Sequence, residues 1–301
     1  MYCDKSKEAA PPKPAATVVL LRGGENGFSV YLMRRAGKGG AFSGAFVFPG
    51  GLAEPGDGGD GGCLQSPSPE DFSAAAVLNE PELSAEEARA LFFAAIRETW
   101  EEAGVLLASM PDGTPFAPAE EHSVRELCRL REEVASGSLS LSSLARELGV
   151  VLRPDWLCPF ARWITPVTER RRFDARFFLA RFPGGQMALP DHNELSEGLW
   201  VSPEEALSLS GQGRLLLYPP TYVTLFSLSR FPGPEHALAA ARQSRVSPIL
   251  PQAFCDEQGV GVLLPGDPDY TGPSPSPAPG LPWRMVLTEK GFSPRFGREG
   301  S

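Results

Sequence analysis

Apolar residues first gather in two strand-like runs, Ala16–Leu21 and Phe28–Met33, with Gly23-Gly24-Glu25-Asn26-Gly27 between them. Two such runs joined by a glycine-rich turn predict a β-hairpin. Phe46–Phe48 is a third short run and leads into Pro49-Gly50-Gly51. The period then changes. Leu91, Phe92, Ala95, Ile96 and Thr99 recur at helical spacing and share one face. Ser84 with Glu87 three residues on forms a capping box. Gly104 is a C-terminal stop, so this pattern predicts a helix from about Ala85 to Ala103. Val105-Leu106-Leu107 reads as a short apolar strand after it.

Further along, residues 122–135 and 142–148 read as two helices, an inserted pair at about 119–150 that could cover a site. Trp156–Thr165 and Phe173–Phe182 read as strands. A polar loop from His192 feeds a strand ending at Val201, and Ser202 as N-cap with Pro203 at the first helical position starts another helix. Pro219–Arg230 and Gly233–Arg245 read as helices, residues 265–282 as a surface loop, and Arg284–Leu287 as a final short strand. Residues 1–14, polar with three prolines, read as a disordered arm, and 55–70 as a flexible piece. The expected division is an arm at 1–14, a main domain at 15–210 and an extension at 211–301 packed on it.

Composition narrows the class. The chain has 301 residues, 42% hydrophobic and 22% charged, as soluble globular proteins do. A net charge of −9 argues against non-specific nucleic-acid binding, which phosphate neutralisation drives. Five scattered cysteines without C-x-x-C spacing suggest neither a disulfide framework nor a zinc site. There is no apolar run of 18 residues. The N-terminus shows no secretory h-region, and the last residues, Arg298-Glu299-Gly300-Ser301, are not a tripeptide of the S-K-L type.

The candidate chemistry lies at the end of the long helix. Glu98, Glu101 and Glu102 sit at i, i+3 and i+4 and so share a face. Three anions that close repel unless a cation sits among them, and a hard divalent ion with oxygen ligands, Mg²⁺ or Mn²⁺, suits them. The alternative is a solvated acidic face. Arg34 and Arg35 end the second strand, where they either reach a phosphate or stay solvated. The strongest basic cluster is Arg170-Arg171-Arg172 with Arg176. Guanidinium forks suit phosphate, which makes Arg34, Arg170, Arg172 and Arg176 the candidate substrate contacts.

The segment Arg97-Glu98-Thr99-Trp100-Glu101-Glu102-Ala103-Gly104-Val105, taken with Gly51 and Asp57 upstream, resembles the signature of the Nudix hydrolases, G-x5-E-x7-R-E-U-x-E-E-x-G-U. Asp57 stands where the pattern has Glu. Arg97 comes where Gln65 would complete the spacing, an insertion of 97 − 65 = 32 residues, at 58–89. The resemblance implies an α+β fold, an α/β/α sandwich around a mixed sheet, with a helical insertion and a C-terminal helical extension. It implies metal ligation by Glu98, Glu101 and Glu102, and a general base among Glu98, Glu194 and Glu197. Arg97 would orient the glutamates, and Gly50, Gly51, Asp57 and Gly104 would shape the turn.

Phe160-Ala161-Arg162-Trp163, Arg172-Phe173-Asp174-Ala175-Arg176, Pro219-Pro220-Thr221 and Leu264-Pro265-Gly266-Asp267 are similar to one branch, the acyl-coenzyme A diphosphatases related to Nudix motif 19. The reaction implied is cleavage of coenzyme A or acyl-coenzyme A to 3′,5′-ADP and 4′-phosphopantetheine or its acyl form. ADP-ribose, a dinucleotide or a nucleotide sugar is the alternative substrate, and a non-catalytic nucleotide-binding module is the alternative of another class. The expected partner is a small-molecule nucleoside diphosphate, with no nucleic acid and no membrane, and a homodimer is left open. The expected location is cytoplasmic, with the peroxisome as the alternative.

Overall fold

The computed structural model describes residues 10–25, 27–36, 44–58, 72–118, 124–191, 195–257, 259–272 and 280–297. β1 (Lys13–Gly24) and β2 (Gly27–Arg35) form the expected hairpin. β1 begins inside the segment read as an arm, because Lys13 N–H reaches Arg172 O at 2.9 Å and ties the strand start to the sheet. β3 (Phe46–Val47) pairs with β2, and β4 (Gly50–Leu52) folds back on β1. A single 3₁₀ turn, Pro55–Gly58, follows. The inserted stretch is partly regular: it holds α1 (Ala74–Leu78) and the first turn of α2 (Ala85–Ala103), while 59–71 lie outside the described residues.

α2 has the boundaries its sequence predicts, for the reasons predicted. Ser84 Oγ accepts from Glu87 N–H at 3.1 Å, and Glu87 Oε2 accepts from Ser84 N–H at 2.8 Å. Gly104 ends the helix at φ 66°, a left-handed conformation costly for any residue with a Cβ. The strand expected at Val105–Leu107 is absent. This segment is buried but hydrogen-bonded by a side chain: Gln186 Oε1 accepts from Leu106 N–H, and Gln186 Nε2 donates to Leu106 O and Phe116 O. Strand pairing begins one residue later, at β5 (Ala108–Ser109).

α3 (Val124–Ala135) and α4 (Leu141–Glu147) are the inserted helical pair, with residues 119–123 outside the description. β6 (Val151–Leu152) pairs with β5. β7 (Cys158–Ile164), β8 (Phe173–Arg181) and β9 (Leu195–Val201) complete most of the main sheet. α5 (Pro203–Gly211), α6 (Pro219–Leu228) and α7 (Pro234–Gln243) follow. β10 (Pro248–Ile249) adds to the edge of the main sheet. β11 (Gln252–Asp256), β12 (Gly259–Leu263), β13 (Arg284–Thr288) and β14 (Gly291–Arg295) form a second, antiparallel sheet in that order.

The main sheet is mixed. β1 runs parallel to β8 and antiparallel to β2 and β4, while β9 pairs antiparallel with β2. As a central strand, β1 is apolar on both faces. Ala16, Val18 and Leu20 join the core beneath α2, with Phe92, Ile96 and Phe178. Val19 and Leu21 join the opposite core with Phe177, Leu225 and Leu238, which belong to β8, α6 and α7. The sandwich expected from the sequence is therefore present, with α2 on one face and α6 and α7 on the other. Helices α6 and α7, from the stretch expected as an extension, supply that second layer, and the same stretch carries the β11–β14 sheet in addition to its helices. No helix among the described residues is long and apolar enough to cross a membrane.

Candidate active site

Arg97 assembles the site. Its Nε donates to Asp57 Oδ1 at 2.8 Å and its Nη2 to Asp57 Oδ2 at 3.0 Å and Leu52 O at 2.8 Å. Its Nη1 donates to Glu98 Oε1 at 2.9 Å and to Glu101 at 3.2 Å. The two halves of the motif, parted in sequence by the insertion, thus meet through a buried fork-to-carboxylate pair. Asp57 also accepts from Glu54 N–H at 2.7 Å, which closes the 3₁₀ turn. Burial alone would lower the Arg97 pKa, but the Asp57 hydrogen bonds and the charges of Glu98, Asp57 and Glu101 outweigh it and hold the proton.

The glycine turn lies against the glutamates. Gly50 N–H donates to Glu102 Oε2 at 2.7 Å. A Cβ on Gly51 would overlap the Glu98 carboxylate. All three glutamates, Gly50, Gly51 and Arg97 line one cavity of about 1100 Å³. Burial raises the Glu98 carboxyl to about 7, with the Arg97 charge opposing and the Glu101 charge adding. Glu101 is raised by burial against the pull of Arg97. Glu102 is raised well above the usual carboxylate range, by burial and then by the Glu98 charge.

This donor set fits a divalent cation: three oxygen-bearing groups on one cavity wall, each made more basic by burial. Among the described residues, no three such groups converge on one point as placed. Arg97 holds Glu98 and Glu101, and Gly50 holds Glu102.

The other sequence candidates divide. Arg34 is half exposed and 3.8 Å from Glu197, itself exposed on β9; neither lines the cavity. Glu194 lies outside the described residues. Arg176 lies away from the cavity. Ala175 and Phe177 line the cavity, so strand alternation turns Arg176 to the other face. There its guanidinium pairs with Asp174 at 2.9 Å and with Glu80, which also meets Arg162 at 2.8 Å. These pairs fasten the inserted segment onto β7 and β8. Arg172 donates to Thr165 O and Ala10 O and also stays out of the cavity. Arg170 is exposed beside Pro166 and Glu169, which do line it.

Of the two arginines at the end of β2, Arg35 and not Arg34 lines the cavity, and its charge opposes the rise at Glu102. Sequence reasoning missed two further groups. Arg131 of α3 donates from Nε to Glu101 O at 2.7 Å. Asp191 lines the wall and accepts from Leu195 N–H at 2.9 Å. No local pattern marks Arg131 or Asp191. Arg35 was visible, and only strand parity separates it from Arg34.

The family described as the NUDT19 Nudix domain matches residues 6–230. The chain belongs to this family of Nudix hydrolases. Acyl-coenzyme A diphosphatase NUDT19 of Gallus gallus is 30% identical over 314 residues, covering 86% of this chain and 82% of that protein. The protein of the same name from Xenopus laevis is 27% identical over 285 residues, covering 81% and 73%. That from Homo sapiens is 29% identical over 280 residues, covering 81% and 72%. The crystal structure of a NUDIX hydrolase from Alicyclobacillus acidocaldarius superposes with a TM-score of 0.60 at 26% identity, over 76% of this chain and 96% of that one. Both halves of the split motif lie within the matched residues.

Proposed function

We propose that this Nudix hydrolase cleaves the diphosphate of coenzyme A and acyl-coenzyme A, giving 3′,5′-ADP and 4′-phosphopantetheine or its acyl form. The observation that carries this reading is one cavity that joins the α2 glutamates to an uncharged wall of Trp163, Phe177, Tyr218 and Phe292. The names of the relatives from three vertebrates support the same substrate class. Glu98, Glu101 and Glu102 would hold Mg²⁺ or Mn²⁺. When bound, such an ion neutralises diphosphate charge and lowers the pKa of water.

The chain's own residues do the rest. In the hydrolysis, a water oxygen joins one phosphorus, the anhydride P–O bond breaks, and the leaving phosphate keeps the bridging oxygen. The water's proton passes to a carboxylate. Glu98 is our choice, because it lines the cavity beside the Gly51 backbone, whereas Glu197 stands at the surface with Arg34. Arg97 positions Glu98 and Glu101 and keeps the turn against the helix. Arg35, which lines the cavity, would meet a phosphate oxygen, and Arg170, next in sequence to the lining residue Glu169, would meet the 3′-phosphate.

The test is product identification by mass with coenzyme A, acetyl-coenzyme A, ADP-ribose and NADH, with Mg²⁺ or Mn²⁺ and with chelator. Release of 3′,5′-ADP, lost on chelation and restored by metal, is expected. AMP from ADP-ribose or NADH alone would overturn the substrate. Turnover that persists in chelator would overturn the metal. Glu102→Gln should lose most turnover while staying folded; near-normal activity would refute the ligand assignment.

A further inference from the structure

We propose that the β11–β14 sheet is the binding wall for the substrate's acyl chain, and that Val262 and Phe292 set chain-length preference. The inference rests on the acyl-coenzyme A reading above and extends it to residues beyond 6–230, the part matched by the family. Charge in the cavity lining is divided by chain region. Its charged lining residues, Arg35, Arg97 and the α2 glutamates among them, all fall between residues 35 and 191. From residue 218 onward the described lining is uncharged, made of Tyr218, three prolines, Thr221, Val262 and Phe292.

A diphosphate belongs with the first set. The second offers a mostly apolar lining with no charged partner for a phosphate. Val262 on β12 and Phe292 on β14 are both partly buried, and Phe292 packs on Tyr218 at 5.4 Å between ring centroids. That contact joins the second sheet to the start of α6. The cavity, about 1100 Å³, exceeds the roughly 300–1,000 Å³ of ordinary small-ligand pockets. A flexible hydrocarbon chain suits such a wall, since each methylene it buries strengthens binding by up to roughly fourfold.

Calorimetric titration of the whole chain in chelator, with product analysis to check that turnover is absent, tests this. The ligands are coenzyme A, butanoyl-, octanoyl- and dodecanoyl-coenzyme A, and 3′,5′-ADP. In the parent protein, Kd should fall at least about tenfold from coenzyme A to octanoyl-coenzyme A. Phe292→Ser should reduce that ratio severalfold. Val262→Thr, nearly identical in shape, should do the same with little risk to folding. A ratio near one in the parent, or one unchanged in both variants, overturns the wall. Equal weakening of 3′,5′-ADP binding also overturns it, by making the surface a base site. Coenzyme A cleaved with no chain-length dependence leaves the substrate reading intact and removes only this inference. Failure to bind or cleave any coenzyme A compound removes both.

Discussion

Asp57→Ala tests how a catalytic motif survives 32 extra residues in its middle. Asp57 and Arg97 are 40 positions apart, and their side chains are only 4% and 10% exposed. Removing one partner of a buried ion pair costs about 3–5 kcal/mol, because the other charge stays buried. Here Arg97 keeps Glu98, Glu101 and Leu52 O, so the expected loss lies at the lower end, about 3 kcal/mol. At about 2–4 °C per kcal/mol for a domain of this size, the melting temperature should fall by about 6–12 °C. Turnover should fall too, because the Pro55–Gly58 turn loses its closing acceptor and its anchor on α2. Thermal unfolding followed by circular dichroism reads the first effect. A cycle with Arg97→Met separates pairing from general damage, since the double variant should be less destabilised than the sum of the singles. A melting temperature within about 2 °C of the parent, or additive losses in the cycle, would refute the view that this pair closes the site.

Gly51→Ala places a Cβ against the Glu98 carboxylate, so it should depress kcat far more than stability; equal turnover in a steady-state assay would show that Glu98 can move aside. Arg176→Met breaks the pairs to Asp174 and Glu80 and should lower the urea midpoint while KM for coenzyme A is unchanged; a raised KM at parental stability would return Arg176 to the substrate site. Asp267 provides a pH test. Burial alone would raise its pKa, but hydrogen bonds from Arg284 and Asp269 N–H and the Arg284 charge lower it below 3.8. A lowered folded pKa contributes stability that is present above the unfolded value and lost as pH falls through the folded one. The deficit of Asp267→Asn in urea unfolding should therefore be full at pH 6 and narrow below pH 3.8; a constant deficit would deny the linkage.

The parts of this molecule that sequence reveals are those whose cause is local. α2 could be bounded from Ser84, Glu87 and Gly104 because a capping box and a left-handed glycine act within four residues of themselves. The Arg97–Asp57 contact and the β11–β14 sheet have no such local cause. β12 contains Gly259 and Gly261, and β14 contains Pro294, residues that argue against strands when read alone. Their partners make them strands: Gly261 lies opposite Val286, and a Cβ on it would strike Met285 O, so the glycine permits the close pairing that single-residue propensity counts against it. The arginines show the same limit at finer grain. Arg34 and Arg35, or Ala175 and Arg176, differ by one step along a strand, and one step reverses the face. Which face looks into the cavity is set by register, Met33 against Val47 and Ala175 against Trp163, and register is a property of two strands at once. A basic run near a predicted strand therefore supplies candidates in number, and the neighbouring strand selects among them.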